Sequence, residues 1–315
     1  MAADRPWLSI VMPAWNGERY LQAALESVRQ EGTQGYEIVA VDDGSTDRTP
    51  EILRSWEALV PLRIVAHPGR GNWVAASNAA LREARGRYAC FLHQDDLWLP
   101  GRLAAIVREV RAQPALIVHP AVFVGPGGER LGTWRCPLPE GAVDPKLFAE
   151  RLIVQNFIAI PAPVFDREAA LRAGQMDESL WYTADWDFWM RLAREGTIRY
   201  LAAPLAAFRV HPASQTMVRT DVADRRKQLE TVLERHATAL PRPVRSAARF
   251  SIEVNLALAS KANRGPISWP ALLGALARLG PAGLRRYLRD SRIVERVAAR
   301  LRLRLQAPFK TTAAG

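Results

Sequence analysis

The first hundred residues alternate short apolar, β-prone runs with segments of helical apolar spacing. Runs of this kind predict strands buried on both faces, and the helical segments between them predict the crossovers of a parallel sheet. Four such repeats in close succession are typical of a doubly wound α/β fold. The runs are Leu8–Pro13, Glu37–Val41, Leu62–Ala66 and Tyr88–Leu92.

Pairs of acidic residues follow two of these predicted strands. Asp42 and Asp43 end the second strand, and Asp95 and Asp96 end the fourth. The carboxyl ends of parallel strands meet at one edge of the sheet, where ligands of open α/β folds bind. Adjacent carboxylates there are unfavourable unless a cation neutralises them, and their oxygens suit Mg²⁺ or Mn²⁺. The plainer interpretation is a solvated turn that caps the next helix.

The later chain predicts a mixture of strands and helices. Asp185 and Asp187 lie at the amino end of a predicted helix, where the helix dipole favours acids. Further strands are expected at Ala115–Val124, Leu131–Cys136, Ile198–Leu201 and Leu205–Val210, and further helices at Pro145–Leu152 and Arg167–Ala173.

Charge divides the chain into two regions. Residues 1–220 carry 24 Lys and Arg against 25 Asp and Glu, whereas residues 221–315 carry 19 against 7. The whole net charge of +11 therefore comes from the last third, which is rich in Arg and Ala and has helical spacing. We accordingly predict an α/β domain over residues 1–220 and a basic helical region over residues 221–315.

Cysteine content and hydropathy bear on the compartment. Cys90 and Cys136 are the only cysteines, which excludes a disulfide framework and fits a reducing cytosol. No apolar run reaches the roughly 20 residues of a membrane-spanning helix, and we expect no leader peptide. The sequence therefore predicts a cytoplasmic protein.

Five segments, in order between residue 8 and about residue 215, resemble family 2 glycosyltransferases. They read SIVMPAWNGERYL, VAVDDGSTDRT, GNWVAASNAALREARGRYACFLHQDDLW, MDESLWYTADWDFWMRLAREG and FRVHPAS. The resemblance implies a GT-A fold, which is Rossmann-like with a mostly parallel sheet flanked by helices. It also implies a bacterial enzyme with an inverting mechanism.

The same resemblance implies a nucleotide-sugar site at the strand ends. Asp42 and Asp43 would contact the base and ribose, although a turn with a helix cap is the plainer reading of this pair. For Ser77 and Asn78, helix packing is nearly as good an explanation as a role in the pocket. The full implied donor-binding set is Pro13, Ala14, Asn16, Asp42, Asp43, Gly71, Ser77, Asn78, Asp95 and Arg209.

A divalent cation, Mg²⁺ or Mn²⁺, is the implied cofactor. The family's metal motif usually reads Asp-x-Asp, and this chain has His93 at the first position. The resemblance carries over to Asp95 and Asp96 as metal ligands, with His211 completing the shell. His93 could be a ligand, a ribose contact or a loop residue, and it has no assigned role.

Asp185 occupies the place of the family's catalytic base. An acid pair usually stands there, and in this chain Ala184 replaces the first acid. Asp185 would take the proton from an acceptor hydroxyl that attacks the anomeric carbon. Trp181 and Trp186 would line the acceptor site, and Trp189 would lie inside the core.

The resemblance implies transfer of a sugar from a UDP- or dTDP-sugar to a hydroxyl of a glycan or lipid-linked acceptor in cell-surface polysaccharide synthesis. Transfer to a polyprenyl phosphate is a weaker alternative, because that reaction needs no base. A non-catalytic nucleotide or sugar binder and a basic nucleic-acid-binding protein are the alternatives outside enzymes. The near-neutral first two thirds and the absence of a nucleic-acid motif argue against the latter.

Residues 284–305 predict a basic amphipathic helix. Such a helix can lie on the inner face of an anionic membrane, or it can pack its apolar side on the catalytic domain. The spacing of its leucines and arginines fits both arrangements equally well.

Overall fold

The computed structural model describes residues 5–32, 34–69, 71–214, 221–262, 265–295 and 297. Its strands are β1 (Leu8–Ala14), β2 (Tyr36–Asp42), β3 (Leu62–Val65), β4 (Tyr88–Phe91), β5 (Leu97–Trp98), β6 (Leu116–Val118), β7 (Ala121–Val124), β8 (Arg130–Trp134), β9 (Gly141–Val143), β10 (Val164–Asp166), β11 (Ile198–Tyr200) and β12 (Ala206–Arg209). Its helices are α1 (Leu21–Arg29), α2 (Thr49–Trp56), α3 (Trp73–Glu83), α4 (Arg102–Glu109), α5 (Pro145–Leu152), α6 (Arg167–Arg172), α7 (Ala184–Leu192), α8 (Val222–Ala237), α9 (Arg242–Ala262) and α10 (Trp269–Ser291).

An eight-stranded sheet forms the centre of the molecule. Its order is β3-β2-β1-β4-β10-β6-β11-β9. The first four strands pair in parallel, as their continuous apolar runs predicted. β10 then pairs antiparallel with both β4 and β6, so the sheet becomes mixed beyond the repeats. The predicted α/β architecture is confirmed, and so is the helical C-terminal region.

The predicted strand Ala115–Val124 is in fact two strands in two different sheets. β6 belongs to the central sheet, whereas β7 belongs to a four-stranded sheet with the order β5-β12-β7-β8. His119-Pro120 separates them, because proline has no N–H to donate to a continuous ladder. β8 is the antiparallel partner of β7, as expected from the hairpin pattern. This second sheet brings the end of β12 against the turn that follows β4.

The C-terminal helices share a hydrophobic core with the sheet. Phe188 and Trp189 of α7 belong to the same buried cluster as Val232 of α8 and Val244 of α9. The predicted boundary near residue 220 therefore marks a change from sheet to helices, and one continuous core crosses it.

Within the part of the chain that the structure covers, no helix is both long and apolar enough to cross a membrane. Cys90 and Cys136 are buried and unpaired with each other.

Candidate functional site

The turn after β4 holds the two adjacent acids, Asp95 and Asp96, which we call the acid turn. Asp96 is buried, and one of its carboxylate oxygens accepts a hydrogen bond of 2.9 Å from the backbone N–H of Arg209. Asp95 is partly exposed, and its Oδ2 lies 2.9 Å from Nε2 of His211. The end of β12 thus fixes the acid turn from behind, as the predicted grouping of Asp95, Asp96 and His211 requires.

Arg209 lies beneath the acid turn instead of in an open donor pocket. Its side chain is buried, and Nε donates to the carbonyl of Asp95 at 2.8 Å. One Nη donates to the carbonyl of Gly125 at 2.9 Å, and the guanidinium stacks over the ring of Tyr20 at 4.6 Å. The structure therefore corrects its expected place in the donor-binding set: Arg209 positions the acid turn through backbone carbonyls.

His93 joins the two acids, although its role could not be assigned from the sequence. Ligand atoms of His93, Asp95 and Asp96 all lie within 4.8 Å of one another. Nε2 of His93 is buried and has no hydrogen-bond partner among the residues that the structure describes, and the ring packs edge-on against Trp73 at 5.1 Å. A buried imidazole nitrogen without a partner is unfavourable unless a ligand satisfies it. One nitrogen and two carboxylates form a donor set that fits a divalent cation.

The electrostatics of the acid turn also favour a bound cation. Burial and the neighbouring charge of Asp95 raise the pKa of Asp96 well above its usual range, against the opposing effect of Arg209. Burial likewise lowers the pKa of His93, which favours the neutral imidazole that metals bind. A cation would stabilise the ionised carboxylates and the neutral imidazole together.

The predicted nucleotide edge centres on Asp43. Its Oδ1 lies 2.9 Å from Nδ1 of His67, and its Oδ2 accepts from the backbone N–H of Asn72 at 2.7 Å. Gly44 and Gly69 approach closely beside it, and both adopt positive φ angles that favour glycine. The Asp43 carboxylate is thus held in place, but it is buried and already engaged in these contacts.

Asp42 and Asn16 line the more open part of this edge. Asp42 is partly buried and accepts from the backbone N–H of Ser45. Asn16 is exposed, and its Oδ1 accepts from the N–H of Thr46 at 2.8 Å. Pro13 and Ala14 end β1 as buried residues just before this loop, and their predicted contact with a donor stays a prediction.

Gln94 fixes the loop after β1 to the acid turn. Its side-chain amide accepts from the N–H of Trp15 at 2.7 Å and donates to the Trp15 carbonyl at 2.8 Å. A Cβ atom at Gly17 would collide with the Gln94 amide, so glycine is required for this approach. The structure therefore brings the ends of β1 and β4 together, and Trp15 is left half-exposed beside them.

Two residues of α3 that were predicted to contact the donor make packing contacts instead. Ser77 is fully buried, and its hydroxyl donates to the carbonyl of Trp73 one turn earlier. The amide of Asn78 donates to the carbonyl of Met176 at 2.8 Å and accepts from the Met176 N–H. Both side chains are engaged inside the protein, which corrects their expected place in the pocket floor. Gly71 is exposed with a φ of 61°, in the loop where it was expected.

Asp185 begins α7 as a partly buried carboxylate. Its Oδ2 accepts from Nδ2 of Asn156 at 2.9 Å, and its Oδ1 accepts from the backbone N–H of Trp186. Burial raises the pKa of Asp185 to about 6, although these hydrogen bonds oppose the rise. A carboxylate with this pKa can accept a proton near neutral pH. Asn156 is distant in sequence, and no pattern around it indicated this contact.

Asp187, two residues further along α7, is bonded to side chains that hold α7 against α8. It is fully buried, with His236 and Arg191 at 2.9 Å and Arg235 at 3.3 Å. Burial alone would raise its pKa, but the His236 hydrogen bond and the Arg191 charge lower the pKa to about 2. These contacts join α7 to α8.

Not all of the tryptophans near Asp185 lie where the sequence predicted, in the acceptor site or in the core. Trp186 is buried, and its indole N–H donates to the carbonyl of Leu152 at 2.9 Å. It therefore belongs to the core, which corrects its predicted acceptor role. Trp189 is fully buried, as expected. Trp181 is partly exposed, and its indole N–H donates to Asp224 of α8 at 2.5 Å.

The start of α3 links the acid turn to the segment that precedes Asp185. Trp73 contacts the ring of His93 and donates through its indole N–H to the carbonyl of Trp181 at 3.0 Å. Asn72 caps α3, contacts Asp43 through its N–H and donates from its side chain to the carbonyl of Glu178 at 3.1 Å. The predicted donor and acceptor regions therefore share one structural support.

Comparison with known proteins agrees with this arrangement. Residues 9–164 match the family model described as glycosyl transferase family 2. An uncharacterized glycosyltransferase of Rickettsia typhi is 27% identical over 222 residues, which cover 67% of this chain and 66% of that protein. The chain thus spans just under two thirds of the length of this relative. A teichuronic acid biosynthesis glycosyltransferase of Bacillus subtilis, TuaG, is 33% identical over 100 residues, covering 31% of this chain and 40% of TuaG.

Solved structures share the fold. Residues 1–349 of S. aureus TarS, in complex with UDP-GlcNAc, align with a TM-score of 0.62 at 16% identity and cover 89% of both chains. The mannosyltransferase PcManGT of Pyrobaculum calidifontis, in complex with GDP-Man and Mn²⁺, aligns with a TM-score of 0.57 at 19% identity, over 95% of this chain and 87% of that one. With the parallel β-α repeats that carry the acid turn, these likenesses lead to one conclusion: the chain has the GT-A fold, and its residues 9–164 belong to glycosyl transferase family 2.

Proposed function

We propose that this protein transfers a sugar from a nucleoside diphosphate sugar to a hydroxyl group, with Asp185 as the general base. The observation that carries the proposal is the environment of Asp185. It is a partly buried carboxylate with a pKa of about 6, oriented by the neutral amide of Asn156. Trp73 connects its segment to the acid turn on the donor side.

The donor would lie along the edge formed by the ends of β1, β2 and β4. Asp42 and Asn16 have the exposure to contact base and ribose, whereas Asp43 shapes this edge from below through His67 and Asn72. A carboxylate can accept from a pyrimidine N3–H or from ribose hydroxyls. This edge favours the UDP- or dTDP-sugars that the sequence indicates.

A divalent cation, Mg²⁺ or Mn²⁺, would be held by His93, Asp95 and Asp96, with His211 orienting Asp95. When bound, the cation supplies positive charge that stabilises the negative charge developing on the leaving diphosphate. The protein's own contribution is to fix these ligands through Arg209, which holds the acid turn by backbone hydrogen bonds.

Asp185 would accept the proton from the acceptor hydroxyl as that oxygen bonds to the anomeric carbon. The bond from this carbon to the diphosphate oxygen breaks on the opposite face, so the anomeric configuration inverts. The Asp185 carboxylate becomes a carboxylic acid, and the nucleoside diphosphate leaves with the bonding electrons. General base catalysis of this kind contributes about 10²- to 10⁴-fold to the rate.

The acceptor in this proposal is a glycan or lipid-linked hydroxyl of a cell-surface polysaccharide, and the enzyme works in the cytoplasm. TuaG, one of the relatives, is named for teichuronic acid biosynthesis. Trp181 is a partly exposed aromatic residue in the segment before Asp185, and it is the candidate to stack on an acceptor sugar. Transfer to a hydroxyl, instead of to a polyprenyl phosphate, is supported by the presence of a base.

A panel of nucleotide sugars tests the proposal directly. Each donor is added to the protein with Mn²⁺, with Mg²⁺ or with excess chelator, and the midpoint of thermal unfolding is measured. A ligand that binds only the native state raises this midpoint. We expect at least one UDP- or dTDP-sugar to protect the protein and to be hydrolysed slowly, both only with metal. Protection by none of the nucleotide sugars would contradict the proposal.

A further inference from the structure

The last described helix, α10, has an apolar face on its outer side as well as on its inner side. Five large apolar side chains of α10 are between 40 and 58% exposed, and we call them the outer stripe. They are Trp269, Leu273, Leu276, Leu284 and Leu288. Large apolar residues scattered singly on a surface are ordinary, but a row of them along one helix is characteristic of an interaction site.

The inner face of α10 is already occupied by the core. Leu279 and Tyr287 are buried, and Tyr287 packs edge-on against Phe250 of α9 at 4.8 Å. A Cβ added at Gly283 would come within 3.7 Å of the backbone carbonyl of Pro243, so α9 lies against α10 at this point. Arg286 pairs with Glu150 of α5 at 3.1 Å. These contacts fix the rotation of the helix and turn the outer stripe away from the core.

A break at Gly280 divides α10 into two helical halves. Gly280 has a φ of 65°, and Pro281 follows it. Both halves nevertheless pack inward, because Leu272 and Ala275 of the first half contact the same core cluster as Tyr287 of the second. Each half therefore presents its own part of the outer stripe on the side opposite the core.

The exposed charges around the outer stripe are positive. Arg278, Arg285 and Arg289 are exposed on α10. Asp290 is the only acid in this helix, and it is fully buried and bonded to Arg289. The outer surface of α10 thus combines leucine, tryptophan and arginine without an exposed carboxylate, within a region that holds all the net positive charge of the chain.

We propose that the outer stripe of α10 docks on the surface of an anionic lipid bilayer. Leucine and tryptophan side chains insert at the boundary between headgroups and acyl chains, and flanking arginines are attracted to anionic headgroups. A second copy of the chain fits less well, because a two-fold contact would place the arginines of α10 opposite one another. The surface begins at Trp269, earlier than the segment 284–305 that the sequence indicated. Residues 296 and 298–305 of that segment lie outside the described residues.

Co-sedimentation of the full chain with vesicles tests this docking. The vesicles contain phosphatidylcholine alone or phosphatidylcholine with phosphatidylglycerol. We expect binding to the anionic vesicles at low salt and release as the salt rises, because the attraction is screened over a Debye length of about 10 Å at 0.1 M.

Matched variants separate the outer stripe from general surface effects. Leu273→Ser combined with Leu276→Ser should weaken binding at least tenfold, and Arg278→Gln combined with Arg285→Gln should reduce both binding and its salt dependence. The controls are Leu59→Ser, which removes an equally exposed leucine elsewhere, and Arg54→Gln combined with Arg111→Gln. The controls should bind vesicles as the wild type does, and circular dichroism should show that all variants are folded.

Three outcomes would overturn the docking surface. They are equal binding to neutral vesicles, no binding to anionic vesicles, and a wild-type dimer that becomes monomeric in the leucine variant. The assay needs neither donor nor turnover, so its failure leaves the proposed glycosyl transfer untouched. Conversely, a protein without transferase activity could still satisfy the vesicle test.

Discussion

The acid turn after β4 and the start of α7 each carry two aspartates, but the protein surrounds their carboxylates with different partners. In the acid turn, Asp95 and Asp96 face each other's charge with an uncharged His93 beside them. In α7, Asp187 is surrounded by Arg191, Arg235 and His236. Asp185 instead accepts from the neutral amide of Asn156 and from the backbone N–H of Trp186. Arg191 and Arg235 thus supply positive charge to Asp187, whereas the guanidinium of Arg209 is bonded to backbone carbonyls beneath the acid turn.

This difference separates groups that hold the fold from groups available for chemistry. Complete pairing lowers the pKa of Asp187 to about 2, so it stays ionised and stabilises the α7–α8 contact. Incomplete pairing leaves Asp185 with a pKa of about 6, where a carboxylate can exchange protons. Five predictions follow from the contrast, and each removes or alters one partner.

Removal of the base should have the largest effect. We expect Asp185→Asn to lower kcat about a thousandfold, because the amide cannot accept the acceptor proton. The affinity for donor, measured by protection against thermal unfolding, should stay within a few-fold of wild type. Loss of donor affinity with kcat retained would make Asp185 a binding residue and place the base elsewhere.

Loss of the Asp95 charge in the acid turn should have the second largest effect on activity. Asp95→Asn keeps the shape but removes a charge that holds the cation, and we expect kcat/KM to fall about a hundredfold, or about 3 kcal/mol. Excess chelator should do the same to the wild type, and the two effects should not add. Full turnover in chelator would exclude a role for the metal.

Loss of the Asp187 charge in α7 should lower the stability of the protein more than its catalytic activity. Asp187→Asn removes the charge of a fully buried carboxylate that pairs with Arg191 and Arg235, so we expect a loss of about 2–4 kcal/mol in the free energy of unfolding. The lowered pKa means that the wild-type contribution is present above the unfolded pKa of about 4 and is lost as pH falls toward 2. Urea unfolding at pH 7 and at pH 3 measures the free energy of unfolding of the wild type and of Asp187→Asn. If the wild type were more stable than the variant by the same amount at both pH values, this role of Asp187 would be contradicted.

The imidazole of the acid turn should contribute to metal affinity. We expect His93→Ala to weaken Mn²⁺ binding about tenfold and Mg²⁺ binding less, because nitrogen ligands favour transition metals over Mg²⁺. Titration calorimetry with each metal measures this without turnover. His67→Ala is the matched control, since His67 contacts Asp43 instead of the acid turn. Equal affinities in wild type and His93→Ala would remove His93 from the site.

Loss of the Asn156 amide should have the smallest effect, which is a shift in the pH dependence of kcat. Below pH 6, kcat should fall about tenfold per pH unit as Asp185 becomes protonated. The Asn156 amide stabilises the ionised form of Asp185, so Asn156→Ala should move the midpoint of the profile to higher pH. An unchanged midpoint in this variant would show that Asp185 does not set the profile.

The fold and the location of the acid turn could be predicted from the sequence because both depend on short, local segments. Buried strands and their terminal acids are encoded within short segments, and parallel topology then places Asp42, Asp43, Asp95 and Asp96 at one edge. The split between β6 and β7 also had a local signal, since Pro120 cannot continue a ladder.

The errors concern side chains whose direction depends on distant partners. Trp186 follows Asp185 directly, yet its indole finds a carbonyl of α5 and lies in the core. Arg209 has the chemistry to bind phosphate, but the carbonyls that take its hydrogen bonds come from segments more than eighty residues away. Helical spacing and residue type do not determine such long-range pairings. Asn156 and Trp73 were missed for the same reason.

The start of α3 contacts both the donor side and the acceptor side of the site, and this bears on the order in which the two substrates bind. Asn72 and Trp73 are bound to Asp43 and His93 on one side and to the 178–181 segment on the other. A nucleotide sugar that immobilises the first side therefore also restrains the second, before any acceptor arrives. We expect a compulsory sequence in which donor adds first and nucleoside diphosphate leaves last, so the released nucleotide should inhibit competitively against donor alone.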